Sequence, residues 1–370
     1  MDKYPGLYIH IPFCIKKCLY CDFTSYTKCD ELFDSYIDAV INEASQYKGV
    51  TAETVFIGGG TPTILSPEQL SRLLCGIRKS ISLAPGAEFT TEANPKTLTE
   101  EKCAVLSENG VNRISIGVQS FSDRELKLLG RIHDSECAKN TVELASRYFK
   151  NINVDIMTSL PGQTEESVTK SLKAAIDCGV THLSCYSLII EENTPFYEMY
   201  ESGTLGEADE DTDREIYTAA SEFLEKNGFE KYEISNYAKP GFKCRHNIKY
   251  WTTNDYIGLG CAAHSYLDGV RYENTTSLQD YIKNPSEHEN RLSLSESDKI
   301  SEFNMMSLRM VQGIDIREFS ARFKKDFEKM FENQIKKFVS GGFMKKTDTG
   351  YAQTSKGFDV SNSVMCEFIL

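Results

Sequence analysis

Six short β-rich runs, separated by helix-like segments, constrain the architecture of this chain more than any other feature. They are "LYIHIPF", "TVFIGGG", "EFTTEANP", "NRISIGVQSF", "NINVDIMTSLPG" and "HLSCYSLIIEENTP", each closed by polar or glycine-rich residues. Between them, "SPEQLSRLLCGIRKSI" opens with Ser66 as an N-cap and Pro67 in the first turn. "TEEKCAVLSENG" runs from a capping Thr99 to a closing Gly110, and "TEESVTKSLKAAIDCG" repeats the scheme from Thr164 to Gly179. Strand and helix thus alternate about six times over residues 7–190, which is the pattern of parallel βαβ units. Periodicity alone does not choose between an open doubly wound sheet and a barrel. Polar residues gather where the strands end, at Gly58 to Thr61, Glu92, Gln119 and Asp155, and both architectures bind ligands at that face.

The rest of the chain reads differently. Residues 297–345 carry successive helical patterns, and "FMKKTDTGYAQTSKGFDVSNSVM" reads as a hairpin turning at Asp348 to Gly350, followed by a closing helix. The whole is winged-helix-like. Its lysines (Lys324, Lys325, Lys336, Lys337, Lys345, Lys346) alternate with Asp326, Glu328 and Glu332, as on a solvated face rather than a DNA-binding one. A formal net charge of −13 also argues against nucleic acid as a partner. No apolar run is long enough to predict a membrane span, and "MDKYPGLYIH" lacks the pattern of a secretory signal, so a cytoplasmic protein is expected. In that compartment twelve cysteines do not predict a disulfide framework. Nine of them, such as Cys75, Cys103 and Cys178, are expected to act as small buried hydrophobes.

The other three stand together. "CIKKCLYCDF" places Cys14, Cys18 and Cys21 within eight positions and offers no fourth nearby. A structural zinc site closes a four-ligand shell, usually from two paired knuckles. Here only Cys29 and the distant histidine of "CRHN" are in prospect as a fourth ligand. A cubane [4Fe–4S] cluster ordinarily takes one thiolate per iron, so three cysteines leave one iron open.

The C-x3-C-x2-C spacing, on a loop after the first strand, closely resembles the signature of the radical S-adenosylmethionine (SAM) superfamily. The resemblance implies that SAM chelates the open iron through its amino and carboxylate groups, and that one-electron cleavage releases a 5′-deoxyadenosyl radical. "GGGTPT" resembles the glycine-rich SAM motif of that superfamily, with Gly59, Gly60 and Thr61 at its centre. Glu92 would oppose the cationic end of SAM, Arg131 its carboxylate, and Gln119 and Asp155 would lie on the ribose side. With "GVQSF", "SLPGQ" and the late "CRHNIKYW", the sequence resembles the HemN-like, coproporphyrinogen-oxidase branch, and within it the HemW heme-chaperone group. That resemblance covers essentially the whole chain. It implies a partial (β/α)6 TIM-type barrel with a smaller C-terminal α+β, winged-helix-like domain. The expected units are residues 1–240 for the barrel, 241–296 for the heme motif and connection, and 297–370 for the last domain. By the same resemblance, Tyr8, Tyr20, Ile189 and His264 line the SAM pocket.

Two features point away from the coproporphyrinogen dehydrogenases of the branch. They carry a further cysteine where this chain has Phe23, and a longer N-terminal extension than a first strand starting by residue 7 allows. In turn, "CRHNIKYW" matches the HNxxYW motif of the heme-binding group. It implies His246 as an axial ligand of heme iron, Asn247 beside it, and the rings of Tyr250 and Trp251 against the porphyrin. Cys244 is the alternative ligand. The function implied is a cytoplasmic heme chaperone that binds heme and a SAM-liganded [4Fe–4S] cluster and passes heme to apo-hemoproteins such as respiratory enzymes at the membrane surface. A reduced electron donor and a homodimer are implied partners. An oxygen-independent coproporphyrinogen III oxidase, decarboxylating to protoporphyrinogen IX, and a related radical SAM methyltransferase are the alternatives. All of these share cluster and SAM, so whether the chain is an enzyme stays open at this level. One departure lies in "GLGCAAHSY", where Ala262 stands in place of the glycine frequent in relatives, beside Ala263 and His264.

Overall fold

The six β-rich runs form β1 (Gly6–Ile11), β2 (Thr51–Gly59), β3 (Ser82–Ala93), β4 (Arg113–Gln119), β5 (Asn151–Thr158) and β6 (His182–Ser187) in a computed structural model that describes residues 4–206 and 209–370. They pair in parallel, each with the next in sequence. A strand order without reversal means that every crossover advances in one direction. Right-handed crossovers then put the helices on one side and curl the sheet into a partial barrel instead of a doubly wound sheet. The strands are buried almost throughout, as expected when helices cover one face and the interior the other.

Six further strands extend this sheet: β7 (Glu230–Lys231), β8 (Asn236–Ala238), β9 (Tyr256–Leu259), β10 (His264–Leu267), β11 (Val270–Asn274) and β12 (His288–Ser293). The full order is β12-β11-β10-β9-β1-β2-β3-β4-β5-β6-β8-β7, with β9 parallel to β1 and antiparallel pairing beyond both ends of the parallel set. Residues 256–293, within the stretch expected to connect two units, therefore belong to the sheet itself. The segments are too short to show a two-residue hydrophobic period, so the pattern of the sequence did not reveal them.

The outer helices begin as their caps predict. Ser66 and Gln69 form a reciprocal capping box on the helix Pro67–Arg78, which buries Leu70, Leu73, Leu74 and Ile77 as one stripe. Thr99 caps Glu100–Glu108 and Thr164 caps Glu165–Asp177. C-terminally, the helices Glu296–Arg309, Ile316–Phe323 and Glu332–Ser340 surround a hairpin of β14 (Met344–Lys346) and β15 (Gly350–Gln353), with β13 (Ile314–Asp315) beside β15. Their core is aromatic, built from Phe303, Phe319, Phe327, Phe331, Phe338 and Phe368, and is separate from the barrel core. Four of the lysines named above are locally paired: Lys325 with Glu296, Lys336 with Glu332, Lys337 with Glu367 and Lys346 with Glu328. Of the single cysteines, Cys103, Cys185, Cys244 and Cys261 are buried as expected, whereas Cys75 and Cys366 are exposed on outward helix faces.

Candidate functional site

The loop that leaves β1 is pinned before it reaches the cysteines. Buried Phe13 anchors it, the Cys14 N–H donates to the Tyr26 carbonyl at 2.9 Å, and the Leu19 N–H reaches the Leu129 carbonyl at 3.2 Å. Cys14, Cys18 and Cys21 consequently face one cavity of about 450 Å³ at the C-terminal ends of the parallel strands. All three are free, half-buried thiols. Arg131 donates through Nη1 to Cys18 Sγ at 3.2 Å, setting a fixed positive charge beside the sulfurs, and Cys14 Sγ lies 3.5 Å from Thr61 Oγ1. Burial raises the Cys14 thiol and pushes Cys21 up to about 11, so metal must displace protons on binding. Among the described residues, no group of three or more His, Cys, Asp or Glu closes around a single ion. Three soft donors lining a cavity without forming a one-ion cage fit a larger polynuclear centre better than a zinc.

The same cavity gathers Tyr20, Gly59, Gly60, Thr61, Glu92, Gln119, Arg131 and Asp155. Gly60 is required by space, because a Cβ there would meet the Phe13 backbone oxygen at 2.7 Å. Gly59 is required by its φ of +106°. The Gly59 N–H donates to Glu92 Oε2 at 3.1 Å, yet that half-buried carboxyl, at the wall of the cavity, has no ion pair among the described residues. Burial, reinforced by the charge of Asp155, pushes Glu92 up to about 8. A cavity-lining acid without a direct ion pair, in the same cavity as three thiols, fits the cationic end of SAM. Gln119 sits at a β-bulge with φ +71°, lines the cavity and accepts from the Tyr186 hydroxyl at 3.1 Å.

Several placements differ from expectation. Arg131, expected to bind the SAM carboxylate, is already engaged by Asn94, the Gly117 carbonyl and Cys18. Ile189 is 68% exposed and lines neither the cluster cavity nor the neighbouring cavity that holds Tyr8 and His264. Leu188 and Ile190 on either side pack into an apolar cluster around Leu129, Met157 and Phe196, and strand-like alternation turns Ile189 outward. Tyr8 and His264 line a second cavity of about 460 Å³, which shares Phe23, Phe56, Gly59 and Glu92 with the first.

The HNxxYW motif, on the helix Arg245–Trp251, is dispersed by its helical geometry. His246 is 1% exposed; its Nδ1 bonds Thr54 Oγ1 at 2.9 Å and its Nε2 the Tyr250 hydroxyl at 2.8 Å. Burial, with the charges of Lys249 and Arg113, holds this imidazole down to about 3. Neutral, enclosed and bonded at both nitrogens, it offers no lone pair to an iron in this arrangement. Asn247 faces the first cavity and Tyr250 the second, while Trp251 packs under the Arg309 guanidinium at 4.3 Å. Cys244, the alternative ligand, is fully buried against Glu88.

Asn94, Arg113, Ser115 and Gly117, not singled out from the sequence, also shape the site. Asn94 donates to Thr61 and accepts from Arg131, and Arg113, Ser115, Gly117 and Gln119 all line the first cavity. The last four occupy every second position of β4; Glu92 on β3 with Asn94 just past its end, and Asn153 and Asp155 on β5, keep the same spacing. That two-residue period of polar residues inside buried strands was the available signal.

Comparison with known proteins agrees with this arrangement. The family description "Radical SAM superfamily" matches residues 8–175, and "HemN C-terminal domain" matches 294–360. Superposition on coproporphyrinogen III oxidase (HemN) from Escherichia coli gives a TM-score of 0.86 over 99% of this chain and 90% of that one, at 23% identity, a likeness of fold. Proteins named heme chaperone HemW are similar throughout: 37% identical in Lactococcus lactis, over 100% of this chain and 98% of that one. The Escherichia coli protein of that name is 36% identical over the whole of both chains, and the Bacillus subtilis one 34% over 98% of each. Superfamily membership implies a [4Fe–4S] cluster and SAM, for which the convergent thiols and the unpaired Glu92 are suited. With more than a third of its residues shared along its entire length, the chain belongs to the HemW family of radical SAM proteins.

Proposed function

We propose that this protein is a heme chaperone: it binds heme, carries a [4Fe–4S] cluster on Cys14, Cys18 and Cys21 with SAM beside it, and transfers heme to apo-hemoproteins. The observation that carries this reading is full-length identity of 34% or more to proteins named heme chaperones. When bound and reduced, the cluster supplies one-electron cleavage of SAM. The chain's own part is to hold and shield. Gly59 and Gly60 admit the methionyl end, Glu92 opposes its positive charge, and Gln119 and Asp155 take the ribose side. Arg131, bonded to Cys18, offsets the negative charge of the thiolates. Apo-hemoproteins such as respiratory enzymes are the receivers, met at the cytoplasmic face of a membrane. No described helix is long and apolar enough to cross one, so contact would be peripheral. A reduced electron donor and a second copy of the chain complete the set of partners.

Phe23, 63% exposed at the cavity mouth, occupies the position of the dehydrogenases' additional cysteine. Anaerobic incubation of the reconstituted protein with reductant, SAM and coproporphyrinogen III should therefore yield no protoporphyrinogen IX, while titration with hemin should give a saturable Soret band. Decarboxylation in the first assay would replace the chaperone reading with the oxidase one, and absence of heme binding would remove it.

A further inference from the structure

If heme binds this chain, the six histidines are unequal candidates for its iron. Both ring nitrogens are engaged in His10, by the Tyr8 hydroxyl and the Thr24 carbonyl, and in His182, by Asn153 and Tyr232. His246 is engaged in the same way. His133 is buried, with Nε2 on the Val118 carbonyl and Nδ1 enclosed. His288 is bonded to Asn274 and stacks on Tyr272 away from both large cavities.

His264 differs from all of these. It opens β10 directly opposite Glu273 of β11, and its Nδ1 lies 3.1 Å from Glu273 Oε2. Donation from Nδ1 leaves the Nε2 lone pair outward, and Nε2 has no partner among the described residues. The side chain is 58% exposed and lines the second cavity. A carboxylate behind one imidazole nitrogen fixes the tautomer and raises the basicity of the other, the usual arrangement behind a metal-bound histidine. The cavity in front is aromatic. Tyr8, Phe23, Phe56, Tyr250 and Tyr256 line it, its volume of about 460 Å³ is in the range of small-ligand sites, and it shares the wall at Glu92 with the cluster cavity.

We propose that the second cavity seats heme, with His264 Nε2 as the axial ligand of its iron and Glu273 as the positioning residue behind it. This rests on the heme-chaperone reading and changes the ligand implied by the HNxxYW motif. Tyr250 is the member of that motif that touches heme, and His246 holds Tyr250 in place through their hydrogen bond.

The test is hemin titration of the full chain, followed by the Soret position and the dissociation constant, in wild type, His264→Ala, Glu273→Gln and His246→Gln, with SAM binding measured in parallel. His264→Ala should move the Soret band and weaken heme binding at least about tenfold, a larger factor than any change in SAM affinity; Glu273→Gln should weaken heme binding by a smaller factor. His246→Gln should keep the wild-type band position. An unchanged band and affinity in His264→Ala would overturn the assignment. So would loss of SAM binding with heme binding intact, which would give the cavity to SAM. Because His264 is exposed, its replacement does not threaten folding, and circular dichroism checks this for the buried His246. Failure of the wild type to bind hemin is a separate outcome: it removes the chaperone reading itself.

Discussion

Glu92 carries the electrostatic logic of the site at the level of single residues. Its carboxyl, pushed up to about 8 by burial and by Asp155, is mostly protonated at pH 7 in the ligand-free protein. A sulfonium or ammonium beside it stabilises the ionised form, so binding SAM expels a proton. The sign follows. Affinity should rise as pH rises toward 8, by about tenfold per unit well below that value, and level off above it. Calorimetry of the cluster-loaded protein at pH 7, in buffers of different ionisation enthalpy, should record the released proton, and Glu92→Gln should abolish both the release and the slope. A flat profile in the wild type would remove Glu92 as the partner of the cation. Cys18 offers a plainer test. The reconstituted chain should hold about four irons, and Cys18→Ser should lose them, whereas a preparation holding zinc alone would remove the cluster. That the three cysteines and Glu92 line one cavity was legible in the sequence, from residue type, spacing and position at strand ends. His246 was not legible in the same way, since a sequence motif does not reveal that Thr54 and Tyr250 occupy both nitrogens.

Among elements, the parallel strands and their capped helices follow from local rules, which is why the caps at Ser66, Thr99 and Thr164 stand where expected. The choice of barrel over doubly wound sheet lay outside those rules, because it depends on which strand pairs with which. Strand order settles it, together with the short strands β7 to β12, whose pairing is decided by tertiary contact. The turn from β9 to β10 shows how a local oddity acquires meaning. Ala262, noted as a departure from the family's glycine, has φ +59° and lines the second cavity two residues before His264. A left-handed alanine costs about 1–2 kcal/mol, part of which the greater unfolded-state freedom of glycine returns. Ala262→Gly should therefore stabilise the protein by about 0.5–1 kcal/mol, read as a higher urea midpoint at unchanged slope. A lower midpoint would mean that the Ala262 methyl contributes packing that outweighs the backbone strain.

At the scale of the whole molecule, the barrel and the C-terminal helices each bury their own apolar core, and a seam joins the two. At that seam Trp251, the one tryptophan of the chain, lies under Arg309, and Arg309 also reaches the fully buried Glu233 at 3.5 Å. A backbone bridge between Glu233 and Met310 and a cluster of Tyr232, Ile248, Trp251 and Met310 lie beside it, and Arg322 to Thr253 and Asn254, Arg271 to Glu302 and Arg214 to Asp359 add polar links elsewhere along the seam. Arg309 thus ties the C-terminal helices to the motif helix Arg245–Trp251, and through Tyr250 to the second cavity. Removing it withdraws a cation–π contact and leaves Glu233 buried with only the Ser235 N–H and the Asn236 amide, together a loss of about 2–3 kcal/mol at the seam. The cores themselves are untouched by Arg309→Ala. The expected result is a red-shifted tryptophan emission in the folded protein and a fluorescence transition that precedes loss of far-ultraviolet dichroism on heating, with Arg309→Lys intermediate. If the two transitions stay coincident and the emission does not move, the C-terminal core is docked by the remaining contacts, among them Arg322, Arg271 and Arg214, and Arg309 is not what joins it to the barrel.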